Sequence, residues 1–503
     1  MSSAPATDPA GPSEPGRAGE PGRAGEPGGA GGPVDAVVVG AGPNGLMAAL
    51  HLALAGRSVT VFEAADTIGG GCRTAELTLP GFHHDRCATI HTLGAGSPVF
   101  GPLELERHGV RYLHPEVALA HPLDGGRAAA LHRCLDETVD GLGADGPAWR
   151  RLVGGAVRNW ERLIPSLLQP LLSVPRHPLA MAAFGRRAVL PASSVARRFD
   201  SDEGAALFGG CAAHSFLPLT APLSAAFGLL LAASGHAVGW PVVEGGSQRL
   251  VDALAALARA NGVTISTGRR ITSLAELPRH RVALFDTDPV QLESICGDAL
   301  PDRYRARLRS YRFGPAAFKI DYALDGPMPW QHPTVRRAGT VHVGGTFAEV
   351  RAAEADIAAG RIPARPFVLA VQASAFDPSR APAGKHTLWA YAHVPNGCAV
   401  DATAAIEAQL ERFAPGFRDL VLARHVTAPS QLAEYNANFV GGDINGGSFA
   451  GTQLVFRPTT SLRSYRTPNE RILLCSASTP PGGGVHGACG ANAAELALSG
   501  PLR

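Results

Sequence analysis

Over residues 1–33 the sequence holds almost only Gly, Pro, Ala and scattered charge, with no apolar run to bury, and a disordered tail is expected there. From Asp35 the pattern changes to AVVVGAG, a continuous β-branched run of the kind that forms a strand covered on both faces of a parallel sheet. LMAALHLALAG then carries apolar positions at helical spacing and stops at Gly56, and SVTVFEAAD supplies a second strand, completing a βαβ unit. Farther on, GGSQRLVDALAALARANG reads as a helix capped by Ser247 and ended at Gly262, followed by VTIS and VALFDTD as strands. RILLCSAS and ANAAELAL repeat strand and helix near the C-terminal end. Two long tracts, 106–239 and 316–454, mix helix and strand patterns without this rhythm, and they predict an inserted second domain in an α/β protein.

Composition narrows the classes. Basic and acidic residues nearly cancel, 45 against 43, so there is no electrostatic footprint for nucleic acid. None of the eight cysteines pair at CxxC or CxxxxC spacing, which excludes a dithiol reductase or a zinc knuckle and predicts no metal site. Scattered thiols, and an N-terminal stretch with acids and no apolar core, predict a cytoplasmic protein rather than an exported one. Ala221 to Val243 is the nearest candidate for a membrane span, but Ser224, Ser234, Gly235, His236 and Gly239 lie inside it and a buried core segment is expected. LIPSLLQPLL at 163–172 is apolar, broken by Pro165 and Pro170 and flanked by Arg158, Arg162 and Arg176; it reads either as domain core or as a peripheral membrane contact.

The chemistry lies in glycine-rich loops. Gly40-Ala-Gly42-Pro-Asn-Gly45 follows a predicted strand and opens a predicted helix: the first glycine makes the tight turn, the second lets backbone approach a pyrophosphate, and the third allows close helix packing. Glu63, eighteen residues on at the end of the next strand, is placed to accept hydrogen bonds from ribose hydroxyls. GLGADG at 141–146 has the same glycine spacing but no preceding strand, and Asp145 reads there as a helix cap. Gly69, Gly70 and Gly71, followed by Arg73, bring flexible backbone and a guanidinium beside the same pyrophosphate, a feature of flavin rather than NAD domains.

DAVVVGAGPNGLMAALHLALAGRSVTVFEAADTIGGGCRT resembles the FAD-binding start of the phytoene desaturase and amine oxidase flavoprotein superfamily. GFHHDRCATIHTL, GWPVVEGGSQRL and RILLCSASTPPGGGVHGACGANAAELAL resemble its phytoene dehydrogenase-related branch, and the likeness runs from residue 34 to the C-terminus. It implies a discontinuous Rossmann-like FAD-binding domain over 34–105, 240–315 and 455–503, with an inserted α+β substrate domain over 106–239 and 316–454. It also implies that Gly484, Val485 and Gly487, between a strand and a helix, turn backbone N–H groups toward the pyrophosphate and the flavin carbonyl side. Ile271, or its neighbour Arg270, is implied as the adenine contact. FKIDYALDGPMPW resembles the amine oxidase strand whose lysine holds a water at flavin N5, which makes Lys319 either a catalytic residue or a strand lysine; Lys319 and Lys385 are the only lysines.

Among His84, His91, His214, His393 and His486, His486 is the expected acid–base residue because its loop adjoins the flavin. The expected activity is FAD-dependent hydride transfer from a lipophilic, isoprenoid- or carotenoid-like substrate to flavin N5, with oxygen or a quinone as acceptor. An amine oxidase and a non-catalytic FAD-stabilised binding protein are the alternatives. The expected location is cytoplasmic with membrane association, and for eukaryotic relatives the resemblance implies the mitochondrial matrix.

Overall fold

The computed structural model describes Met1 and residues 33–503; apart from Met1 and Pro33, the expected tail lies outside the described residues. Two sheets organise the chain. The first is five-stranded and parallel throughout, in the order Ile472–Leu474, His280–Phe285, Val34–Val39, Val59–Phe62, Thr264–Ser266. Its central strand needs its unbroken apolar sequence because both faces are covered. Ala36 and Val38 enter one core with the helices Pro43–Leu54, Gln248–Ala260 and Ala488–Leu498, whereas Val37 and Val39 enter another with the helix Pro289–Cys296.

The second sheet has seven strands in the order Val421–Thr427, Ala316–Leu324, His386–Val394, Val368–Val371, Ala338–Val343, Val117–Leu123, Arg127–Leu131. Only the pairing of Ala338–Val343 with Val117–Leu123 is parallel. Alternation sorts its residues. Phe318, Ile320, Leu388, Ala390, Val341 and Val368 turn to one core beneath the helix Thr403–Phe413. Thr340, Leu369, Val371, Trp389 and Tyr391 turn to the opposite face and floor a cavity. The helices Pro178–Ala188 and Ser224–Ala237 supply its other wall through Met181, Phe184, Ala226, Phe227 and Leu230.

The structure corrects two caps. Ser247 makes no side-chain cap; its hydroxyl donates to the Ala88 carbonyl at 2.6 Å and meets His91 Nε2 at 2.7 Å, tying the helix start to the loop in front of it. Asp145 likewise does not cap its own helix, because its carboxylate accepts the N–H groups of Asp200 at 2.7 Å and Ser201 at 3.1 Å. The stretch 221–243 contains the helix Ser224–Ala237, and among the described residues no helix is long and apolar enough to cross a membrane.

Candidate active site

One cavity of about 750 Å³ runs from the glycine loop of the parallel sheet to the floor of the second sheet. At the loop, Gly40 has φ +106°, open to glycine at little cost, and a Cβ on Gly45 would lie 2.1 Å from the Gly40 carbonyl oxygen. A Cβ on Gly42 would lie 2.9 Å from Asp286 Oδ2, and one on Gly70 would lie 3.0 Å from Gly42 Cα. Two backbone segments thus approach without side chains between them, which is the cradle a pyrophosphate requires. Glu63, 9% exposed, accepts the N–H groups of Ala41 at 2.8 Å and Ala65 at 2.9 Å, one on each oxygen, so its carboxylate is fixed in place and keeps lone pairs for ribose hydroxyls.

Arg73 donates to the Thr67 carbonyl at 2.6 Å, lies 3.4 Å from Glu63 Oε1 and faces the Tyr435 ring, whose hydroxyl donates to the Gly70 carbonyl at 2.5 Å. Gly69 supports the turn with φ +124° and donates to the Ala41 carbonyl. Ile271, Arg270 and Arg269 all line the cavity, Arg269 over the Phe62 ring, so both residues weighed for the adenine contact face the same space as Glu63. At the opposite wall Gly484, Val485 and His486 line the cavity. Gly487 does not: it takes φ +71° at the start of the helix Ala488–Leu498, and a Cβ there would lie 2.5 Å from Phe100.

The two expected catalytic residues are placed differently from that expectation. Lys319 is 2% exposed, its ammonium is paired with Asp321, and it lies 5.6 Å from the centre of the Trp389 ring; Trp389 lines the cavity and Lys319 does not. Burial pushes the Asp321 carboxyl up to about 6, against the pull of the Lys319 charge, so the lysine serves to compensate a buried acid. His486 lines the wall, but Nδ1 accepts the Ala488 N–H at 3.0 Å and Nε2 donates to the Gly482 carbonyl at 3.3 Å. With both nitrogens committed and burial holding it down to about 4, the ring staples the closing loop.

Two residues that sequence reasoning passed over complete the cofactor end. Asp286, at the end of the strand His280–Phe285, accepts the Gly45 N–H at 2.9 Å, and burial, with the Glu63 charge adding, raises its carboxyl to about 8. The signal was an acid at the C-terminal end of a parallel strand next to the glycine loop. Arg457 is 1% exposed and lines the cavity, with Nη2 on the Tyr311 hydroxyl at 2.9 Å and the Gly446 carbonyl at 3.0 Å, while Nε and Nη1 are buried without partners. A buried guanidinium with free N–H groups beside Gly482–Gly484 suits an anionic ligand, and no local sequence motif announces it.

The comparisons with known proteins agree with this geometry. Residues 44–299 match the family described as flavin containing amine oxidoreductase. A phytoene dehydrogenase from Streptomyces griseus is 31% identical, over 72% of this chain and 74% of that protein. The chain belongs to the flavin containing amine oxidoreductase family. This flavin oxidoreductase is also similar to the pyridine nucleotide-disulfide oxidoreductase domain-containing protein 2 of Mus musculus, at 26% identity over 92% of the chain and 93% of that protein. An oxidoreductase from Methanosarcina mazei shares the fold, with a TM-score of 0.62 at 18% identity, covering 92% of this chain and all of that one.

FAD is the cofactor, and the residues fit it: the bare glycine cradle, the fixed Glu63 carboxylate and the partnerless Arg457 N–H groups lie along one cavity. When bound, FAD supplies a two-electron hydride acceptor. The glycine cradle, Glu63 and Arg457 would hold its phosphates and ribose, and Phe184, Phe227, Leu230 and Trp389 give the other end of the cavity an apolar lining.

Proposed function

We propose that this flavin oxidoreductase dehydrogenates a lipophilic, isoprenoid-like substrate. The observation that carries the reading is the absence of a carboxylate from the substrate half of the cavity. Among the described residues the acids that line the cavity are Glu63 and Asp286 at the glycine loop and Glu434 beside Tyr435, all at the cofactor end. A substrate ammonium would find no counter-charge between the sheet floor and the helices, whereas an apolar chain meets Met181, Phe184, Phe227, Leu230, Leu369 and Val371.

Access supports the same substrate. Leu171 and Val189 line the cavity yet are 51% and 53% exposed, and Leu172, Val174 and Leu179 extend the apolar lip outward. Arg158, Arg162, Arg176, Arg186 and Arg187 lie in the same stretch of sequence. An apolar rim with cationic neighbours suits a membrane surface, from which a lipophilic substrate enters and a quinone can accept the electrons; oxygen is the alternative acceptor. We place the protein in the cytoplasm at that surface. The test is product analysis: FAD-loaded protein is incubated with phytoene in liposomes, or with putrescine, in the presence of oxygen or a quinone, and the products are weighed by mass spectrometry. A mass loss of two hydrogens from phytoene supports the reading. Conversion of the amine alone, or of neither, overturns it.

A further inference from the structure

Dehydrogenation of neighbouring C–H or O–H bonds sends one hydrogen away as hydride and the other as a proton, so a proton acceptor is needed at the substrate end. At the cofactor end His486 has both nitrogens committed, and His91, 1% exposed, donates from Nε2 to the Ser247 hydroxyl while its Nδ1 is buried without a partner and shut off from the open part of the cavity. Burial pushes the Cys87 thiol up to about 12 and the Tyr391 hydroxyl higher still. That leaves His214, which follows the helix Asp202–Ala213 and lines the cavity next to Trp240.

His214 Nε2 lies 2.9 Å from His342 Nε2, a contact that requires one hydrogen between the two nitrogens. With His214 donating it, His214 Nδ1 is left with a bare lone pair and no hydrogen-bond partner among the described residues. Behind it, His342 Nδ1 and His121 Nδ1 are buried without partners, and His121 Nε2 donates to the Gly345 carbonyl at 2.7 Å, so its Nδ1 is also bare. Gly210 makes room for both: a Cβ there would lie 2.4 Å from His342 Nδ1 and 3.0 Å from His121 Nδ1. His393 also faces the pair across Phe216 and carries its own partner, Glu354, at 2.8 Å.

We propose that His214 is the proton acceptor of the dehydrogenation and that His342 positions it. The substrate C–H bond breaks with both electrons, and the hydride goes to the flavin. The adjacent C–H or O–H bond then breaks, its electron pair forms the new double bond, and its proton goes to His214 Nδ1. The substrate is oxidised by two electrons and the flavin is reduced by two. His342 holds the ring through Nε2, takes part of the positive charge, and has His121 behind it. Burial holds His214 down to about 3 and His342 well below its ordinary value, so both are neutral and ready to accept at working pH. Such a weak base is sufficient because hydride departure leaves positive charge on carbon and makes the neighbouring hydrogen strongly acidic.

This role rests on the lipophilic reading above, because oxidation of a neutral amine needs no such base. Two measurements on FAD-loaded protein separate the claims. Diethyl pyrocarbonate acylates bare imidazole nitrogens, and the modified peptides are read by mass spectrometry. His214 is expected to react at a rate that changes less than about twofold between about pH 5 and about pH 7.5, whereas an ordinary exposed histidine accelerates more than about tenfold. An unmodified His214, or an ordinary pH dependence, overturns the proposal.

In anaerobic stopped flow with phytoene, His214→Gln should slow flavin bleaching by about 100-fold or more with half-saturation unchanged. His342→Leu should slow it less and shift the pH profile, and His342→Gln, which can still accept the N–H, should restore part of the rate. Wild-type bleaching by His214→Gln overturns the assignment. If phytoene bleaches no form of the protein, the lipophilic reading falls, and the labelling still decides whether His214 presents a bare nitrogen to the cavity.

Discussion

Asp286 places an acid directly against the bare glycine loop Gly40–Gly45, and its protonation can be tested without a substrate. Its carboxyl is raised to about 8, chiefly by burial and further by the Glu63 charge, while the Gly45 and Gly42 N–H groups pull the other way. At pH 7 the acid is therefore protonated about ten to one. The site then carries a neutral group that accepts the Gly45 N–H on Oδ2. The sign for stability follows from linkage. An unfolded aspartate ionises near 3.9, so between about pH 4 and about pH 8 the folded chain holds a proton that the unfolded chain has released. Stability from this group is complete below pH 4 and is lost as pH rises toward 8, by at most about 1.4 kcal/mol per pH unit and about 5.5 kcal/mol in all.

Asp286→Asn keeps an oxygen for the Gly45 N–H and cannot ionise. Buried histidines such as His84, His91 and His214 titrate in part of the same range, so the quantity to measure is the difference between the two proteins. Urea unfolding of FAD-free protein from about pH 5 to about pH 8.5 should show the variant gaining several kcal/mol on the wild type as pH rises. FAD affinity should fall above about pH 8 in the wild type and stay level in the variant. Parallel stability curves would refute the reasoning, because they would mean that Asp286 is ionised in the folded protein.

Other positions give distinct outcomes. Gly45→Ala puts a Cβ 2.1 Å from the Gly40 carbonyl and should lower FAD affinity at least about 100-fold, read by fluorescence titration. Arg457→Met removes a buried cation with two free nitrogens; it should weaken FAD binding about 10- to 100-fold in equilibrium dialysis without destabilising the FAD-free chain. Lys319→Met strands the buried Asp321 carboxylate, so it should cost about 3 to 5 kcal/mol in urea unfolding while leaving flavin bleaching rates unchanged; slowed bleaching would restore a catalytic role for the lysine. Replacing Leu171 and Leu172 together with Glu should reduce co-sedimentation with anionic liposomes about tenfold or more, and equal sedimentation would remove the membrane contact.

Local patterns of short period were readable in the sequence. The strand–glycine–helix start at Asp35 and the carboxylate of Glu63 follow from backbone rules that need only neighbouring residues, and the structure places them as those rules require. The caps at Ser247 and Asp145 failed because tertiary partners, Ala88 and His91 in one case and Ser201 in the other, outcompeted the local amides. Lys319 was singled out by scarcity, but no local rule shows that Asp321, two residues on and on the same face of the strand, holds its charge behind Trp389. Arg457 and the His214–His342 pair were illegible for a related reason. Their meaning comes from what they lack or meet across the fold, 128 residues apart in sequence for the two histidines.

The central claim is tested most directly by the visible spectrum of the purified chain, recorded anaerobically before and after phytoene is added. Oxidised-flavin absorption from stoichiometric bound FAD is expected, bleached by phytoene and persisting with putrescine. A colourless protein from which no flavin can be extracted, or a spectrum bleached by the amine and untouched by the polyene, would contradict it.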